Sequence, residues 1–187
     1  MIDLASGLPE LETKRLILRQ LRRSDVPDLY TIFSDPAVTR YWSTGPLATL
    51  EDADALYDDI ENGRESNQFF QWGIALKDTD VVVGTVTLFA WNPEHRRAEL
   101  GFALASRVWN RGYGSEAVRS IVTFAFRELS LHRLEADTDP RNVASLRILE
   151  GLGFREEGYM RERYHMNGEP QDAVLIALLR TEWSDAD

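Results

Sequence analysis

The chain has 187 residues, enough for one domain with a sizeable core, and its hydrophobic fraction of 43% and charged fraction of 28% are those of an ordinary globular protein. It has no cysteine, which excludes disulfides, thiolate metal sites and a cysteine nucleophile. The formal net charge of −10 comes without a concentrated basic surface, so nucleic acid is not an expected partner; the charge suits a cationic partner or simply keeps the protein dissolved.

In chain order, Arg15 to Leu21 alternates and reads as a strand. Ser24-Asp25 offers an N-cap for a helix running to about Phe33, which Asp35-Pro36 breaks. Tyr41 to Pro46 is aromatic and turn-rich, hence a loop. Thr49 opens an amphipathic helix with Leu50, Ala53, Tyr57 and Ile60 on one face and Glu51, Asp52, Asp58, Asp59 and Glu61 on the other. Phe69 to Leu76 and Val81 to Trp91 read as strands joined by a turn at Asp78–Asp80, and Asn92-Pro93-Glu94 leads to a third strand from Arg97 to Ala105. From Gly112 the pattern is helical, with Ala117, Val118, Ile121, Val122, Phe124 and Ala125 forming an apolar stripe. His132 to Thr138 is a short strand. Asn142 starts a short helix through Leu146 and Leu149, ended by Gly151 and Gly153. Two strands, about Phe154–Tyr164 and Ala173–Thr181, close the chain around an Asn167-Gly168 turn.

This order gives a single mixed α/β domain over residues 1–187 with seven strands and no linker. The longest uncharged run, Val81 to Pro93, is too short to span a bilayer, and the N-terminus lacks a basic region followed by an apolar one. A cytoplasmic protein without a membrane partner is expected. His95, His132 and His165 are far apart in sequence and lack metal-ligand spacing, so no metal is expected.

The segment Trp109-Asn110-Arg111-Gly112-Tyr113-Gly114-Ser115-Glu116-Ala117 joins a strand to a helix. Its two glycines let the backbone approach a ligand. The first N–H groups of a helix lack internal partners and the helix dipole favours an anion there. With Arg111 alongside, the segment reads as a phosphate or pyrophosphate site. Gly112-x-Gly114-x-x-Ala117 also fits a dinucleotide fingerprint, but the preceding strand is third in a meander and carries Glu99, unlike a buried Rossmann strand. Further on, Asn142 and Ser145 precede Gly153-Phe154; helix capping is the plain explanation of that pattern.

Together these segments resemble the GNAT superfamily of N-acetyltransferases. The family's cofactor motif, Q/R-x-x-G-x-G/A, falls on Trp109 to Gly114, with Trp109 departing at the first position. That departure, with Glu116 and Ala117, is similar to the RimJ/RimL branch of ribosomal-protein N-terminal acetyltransferases. The branch's other marks match Thr13, Arg15, Leu16, Leu18 and Arg19 at the start, Asn142, Ser145, Gly153 and Phe154 in the middle, and Met160, Arg161, Glu162 and Asp172 near the end. The resemblance covers about residues 11 to 183.

It implies a GNAT fold: a mixed, mostly antiparallel central sheet of about seven strands flanked by helices. It implies acetyl-CoA as cosubstrate, no metal, and a primary amine as acceptor, most naturally the α-amine of a protein N-terminus. A small amine such as a polyamine, amino acid or aminoglycoside is the alternative, and a non-catalytic acyl-CoA-binding module the third. The cofactor would lie against Phe102, Ala103 and Leu104 and against Trp109, Asn110, Arg111, Gly112, Tyr113, Gly114 and Ser115, with Asn142 and Ser145 adding hydrogen bonds. Glu99 is the candidate base, and Ser145 a candidate donor to the departing thiolate. A solvated carboxylate, or one paired with Arg97, is the competing account of Glu99. Tyr41, Trp42, Glu99 and Tyr164 would line the acceptor pocket, with ordinary aromatic packing as the alternative for the rings. The resemblance also allows a homodimer.

Overall fold

A computed structural model describes residues 3–42, 44–166 and 168–184. The described elements are β1 (Leu11–Glu12), β2 (Leu16–Gln20), α1 (Val26–Phe33), α2 (Pro36–Thr39), α3 (Leu50–Glu65), β3 (Phe69–Leu76), β4 (Val82–Asn92), β5 (Arg97–Leu104), α4 (Tyr113–Arg127), β6 (Arg133–Thr138), α5 (Val143–Glu150), β7 (Arg155–Met166) and β8 (Glu169–Leu179). One eight-stranded sheet runs in the order β1-β2-β3-β4-β5-β6-β8-β7. Every neighbouring pair is antiparallel except β5–β6, which α4 links as a parallel crossover. The mixed α/β architecture of the sequence reading is the one observed. The eighth strand is the two-residue β1 on the outer edge of β2, too short to leave an alternation.

Strand parity assigns the two faces of the sheet. Trp72 of β3 meets Phe124 of α4 with ring centroids 5.8 Å apart, whereas Phe69, of opposite parity, packs on Gly63 of α3. Helices α4 and α3 therefore cover opposite faces. The stripe Ala117, Val118, Ile121, Val122, Phe124 and Ala125 of α4 is buried, as its spacing predicts. Gly63 has no room for a side chain, because a Cβ there would lie 2.3 Å from the Phe69 ring. In α3, Thr49 and Asp52 form a reciprocal capping box. Leu50, expected on the buried face, is 48% exposed, and Leu56 packs on the core instead.

Two further expectations are corrected, and the break at Asp35-Pro36 holds. Asp25 does not cap α1: its carboxylate turns back to the Arg22 N–H at 2.7 Å and to the buried Arg19 guanidinium. After α1 ends, Asp35 caps the one-turn α2, accepting from the Ala37 N–H at 2.9 Å. The last strand begins at Glu169, four residues before the expected Ala173, since its first residues pair outside the core. In the expected Asn167-Gly168 turn, Gly168 has φ +81° and Asn167 lies outside the described residues. No helix among the described residues is long and apolar enough to cross a membrane.

Arg19 locks the far side of the sheet. Its guanidinium donates to both oxygens of Asp25 at 2.8 and 3.1 Å and to Asp80 at 2.7 Å, joining β2, the approach to α1 and the β3–β4 turn. Removing Asp25 leaves this buried cation with the exposed Asp80 as its remaining carboxylate. Asp25→Ala should lower unfolding stability by about 3–5 kcal/mol, measured by urea titration. A loss below about 1 kcal/mol would show that water reaches Arg19.

Candidate active site

The sheet splits between its two parallel strands. Strands β5 and β6 pair only over Arg97–Glu99 with Arg133–Glu135. Beyond that point β5 follows β4 as far as Leu104, and β6 follows β8 as far as Thr138. From Gly101 to Leu104 the β5 edge facing β6 has no strand partner among the described residues, although the Leu104 carbonyl accepts from the Trp109 indole N–H at 2.8 Å. An unpaired strand edge inside a sheet is a place for an extended, amide-bearing ligand.

The turn at the head of α4 opens beside this gap. Asn110 and Gly112 have φ of +60° and +78°, and the first hydrogen bond of the helix runs from Glu116 N–H to the Gly112 carbonyl at 3.1 Å. The N–H groups from Asn110 to Ser115 have no partner among the described residues. Asn110, Arg111, Gly112 and Ser115 are exposed. The helix start is thus open, as an anion site requires. The two glycines serve different ends. Gly112 takes the left-handed conformation that a side chain would strain. Gly114, expected to let a ligand approach, is buried, and a Cβ there would stand 2.8 Å from the Ile148 side chain of α5; its smallness serves helix packing.

Glu116 and Arg15, noticed in the sequence only as marks of resemblance, brace this turn. The Glu116 carboxylate accepts from the Thr13 hydroxyl at 2.7 Å, the Arg15 N–H at 2.8 Å and Arg15 Nε at 2.7 Å. Arg15 also donates to the Arg111 carbonyl at 2.9 Å and lies 4.4 Å from the Tyr113 ring centroid. Burial pushes the Glu116 carboxyl up, but the Thr13 and Arg15 hydrogen bonds outweigh it and hold the group below its ordinary value.

On the α3 side of the sheet lies a row of carboxylates. Glu99 stands opposite Glu135 in the parallel register, and Asp137 shares the face two positions on. Glu135 bridges Arg97 at 3.0 Å and Arg133, which also grips Glu157. Asp137 accepts from the Tyr164 hydroxyl and lies 3.9 Å from Arg163. Arg97 therefore serves Glu135, and the half-buried Glu99 has no hydrogen-bond or ion-pair partner among the described residues. Burial first, then the charges of Asp137 and Glu135, push the Glu99 carboxyl above its usual range, against the pull of Arg97 and Arg163. Burial and the bond to Asp137 push the Tyr164 phenol up to about 12.

The other expected site residues are placed as follows. The Tyr41 hydroxyl donates to the Arg141 carbonyl at 3.2 Å, at the connection from β6 to α5; Arg141 in turn joins Asp139 and Gln171. Trp42 is half-buried against Phe33, ring centroids 4.8 Å apart, so its ring packs on the core. Asn142 caps α5, accepting from the Ser145 N–H at 3.3 Å. The half-buried Ser145 hydroxyl has no partner among the described residues. Glu135 and Asp137 were missed by the sequence reading. Their signal was present in the acids at alternate positions of β6, Glu135 and Asp137, with Asp139 just past its end. Among the described residues no group of three or more His, Cys, Asp or Glu is placed to hold a metal ion.

Residues 15–155 match the family described as the acetyltransferase (GNAT) domain. The chain belongs to that family. It is 33% identical over 172 residues to the uncharacterized N-acetyltransferase YoaA of Bacillus subtilis, covering 92% of this chain and 97% of the relative. It is 24% identical over 170 residues to the spermidine N(1)-acetyltransferase of Vibrio cholerae, covering 90% and 95%. Among solved structures, a GNAT-family acetyltransferase from Bacillus anthracis superposes with a TM-score of 0.84 at 26% identity, over 93% of this chain and all of that one. The Vibrio cholerae spermidine N-acetyltransferase, solved with CoA and spermine, gives a TM-score of 0.79 at 23% identity over 91% and 98%, a likeness of fold. The protein is thus an N-acetyltransferase by family, on a GNAT fold.

The Glu116 brace has a pH signature. Its carboxyl is depressed in the folded state, so its stabilisation is present above the unfolded value of about 4.3 and lost as pH falls through the lower folded value. Between these limits the melting temperature of the native protein should fall more steeply with pH than that of Glu116→Gln. Parallel curves of melting temperature against pH would show that the brace carries no net stabilisation.

Proposed function

We propose that this N-acetyltransferase transfers the acetyl group of acetyl-CoA to the N-terminal α-amine of a protein, with Glu99 as the base. The observation that carries this reading is the half-buried Glu99 carboxylate, without a hydrogen-bond or ion-pair partner among the described residues, at the point where β5 and β6 part. The open N–H groups of Asn110, Arg111, Gly112, Tyr113, Gly114 and Ser115, with the Arg111 charge, fit a diphosphate. The free edge at Phe102, Ala103 and Leu104 fits the amide-bearing arm, as an added strand would. Trp109 fixes the turn to that edge through Leu104, and Asn142 holds the neighbouring helix start.

Acetyl-CoA brings the activated acyl carbon, and the chain supplies little covalent chemistry. Glu99 takes a proton from the ammonium so that the nitrogen lone pair is free. The Leu104 N–H is the proposed donor to the carbonyl oxygen as charge builds there. Ser145, with its unused hydroxyl, donates a hydrogen bond where the thiolate departs. Tyr41 and Tyr164 border the acceptor, whereas the ring of Trp42 is committed to packing.

The acceptor follows from proton cost. At pH 7 an α-amine of pKa about 7.8 is about 14% neutral, and a lysine of about 10.4 only about 0.04%. That gap is about 3.5 kcal/mol, a large demand on one carboxylate. A polyamine is the second reading, favoured by the acidic row and by the spermidine acetyltransferase among the relatives. Against it, Glu135 and Asp137 already have partners and offer less to a second cation. Thiol release should be measured with peptides bearing a free α-amine, N-blocked lysine peptides, and spermidine. Free α-amines should give the highest kcat/KM. A preference for spermidine would replace the first reading with the second, and acetyl-CoA binding with no turnover on any amine would sink both.

Two variants probe the parts separately. Glu99→Gln should lower kcat/KM by about 100-fold below the pKa of the amine, with the deficit shrinking above it as the amine loses its proton unaided. A pH–rate profile of unchanged shape and height would remove Glu99 from the reaction. Gly112→Glu puts bulk and negative charge among the free N–H groups and should weaken acetyl-CoA binding at least about 100-fold by calorimetry. Unchanged affinity would move the diphosphate elsewhere.

A further inference from the structure

The carboxylate beside Glu99 has no role in the reaction as described so far. Asp137 lies on the same sheet face as Glu99, two positions beyond its register partner Glu135. It lies two residues past the last paired position of β6, so it stands where the two strands have begun to part. It is also held from the far side. The Tyr164 hydroxyl donates to Asp137 and the Arg163 guanidinium lies 3.9 Å away, both on β7, which reaches this face across β8.

We propose that Asp137, clamped by Tyr164 and Arg163, is a positioning residue that sets the pH at which Glu99 accepts the proton of the amine. This rests on the reading of Glu99 as the base. The groups facing Glu99 are Arg97 on its own strand, Glu135 and Asp137 on β6, and Arg163 on β7. Arg97 and Glu135 are tied to each other, and Glu135 also to Arg133, so their opposed charges largely cancel at Glu99. Asp137 is balanced by a neutral phenol and by a cation at the limit of ion-pair distance, so its charge is the less cancelled of the two. A like charge at close range disfavours ionisation, which keeps Glu99 a stronger base than a solvated carboxylate. Tyr164 moderates the effect, because its hydroxyl spreads the charge of Asp137 away from Glu99. Its phenol, pushed up to about 12, stays protonated and keeps donating across the working pH range.

The two partners then have opposite signatures. Asp137→Asn removes a repelling charge, so the titration midpoint of Glu99 should fall by roughly half a pH unit or more. Tyr164→Phe removes the donor and leaves the charge of Asp137 less screened, so the midpoint should rise. In the Asp137→Asn background, Tyr164→Phe should add no shift. The readout is the side-chain carboxyl carbon of Glu99, followed by NMR through a pH titration and assigned by its loss in Glu99→Gln. The acid limb of kcat/KM with one peptide amine should move in step with it. Midpoints that stay put, or that move the same way in both variants, would overturn the role of Asp137. An unchanged pH–rate profile in Glu99→Gln would instead overturn Glu99 as base, whatever the NMR midpoints show. Tyr164 is half exposed at the rim, so its variant keeps the test informative even where Asp137→Asn fails to fold.

Discussion

Parallel pairing between β5 and β6 stops at Glu99 and Glu135, and the rest of the site is arranged around that interruption. A strand in the middle of a sheet normally spends both edges on its neighbours. Here β5 keeps one edge for β4 and releases the other, while β6 turns to β8. The crossover helix α4 separates the strands in sequence, and its apolar stripe seats it on the opposite face, leaving its N-terminal end beside the gap. One local event thus brings together a strand edge, a helix start and a carboxylate that have no partners among the described residues.

A free edge and free N–H groups keep a fixed geometry only where other contacts hold it for them. The holding comes from residues that touch no reacting atom. Glu116 ties α4 to the segment before β2, and Arg15 ties that segment to the Arg111 carbonyl and the Tyr113 ring. The Trp109 indole fixes the other end of the turn to Leu104. Gly114 allows α5 to press against α4. The turn is therefore braced by side chains and by packing, and its own amides remain available.

What was legible in the sequence is what local rules govern. The α4 stripe and the helix opening at Thr49 each follow from neighbouring residues, and each stands where expected. Long-range choices were not legible. Asp25 reads as a cap from its neighbours, but a buried Arg19 competes for it and wins. Arg97 beside Glu99 suggests a pair, yet the register presents Glu135 to it instead. Glu116 and Arg15 are 101 positions apart, beyond any local pattern. The start of β8 was missed because Glu169, Pro170 and Gln171 pair with β7 outside the core, where no apolar alternation marks a strand. For Gly112 and Gly114 the sequence showed two small residues but not their different duties.

On the proposed reading, the same wiring says where the protons go. Tyr164 lies near the reacting face but is a poor source of a proton, since its hydroxyl is committed to Asp137 and its phenol is pushed up to about 12. Ser145 is a weaker acid still, limited to a hydrogen bond. Neither shortage matters much for this leaving group. An alkyl thiol is several pH units more acidic than an alcohol and departs as thiolate far more readily than an alkoxide would, so the harder proton problem lies with the incoming amine. That is the side on which the structure concentrates its charge: a half-buried carboxylate with its neighbouring acids mostly paired off and one of them left to keep it basic. An arrangement of this kind favours an amine that needs little help, and the α-amine of a chain terminus is such an amine.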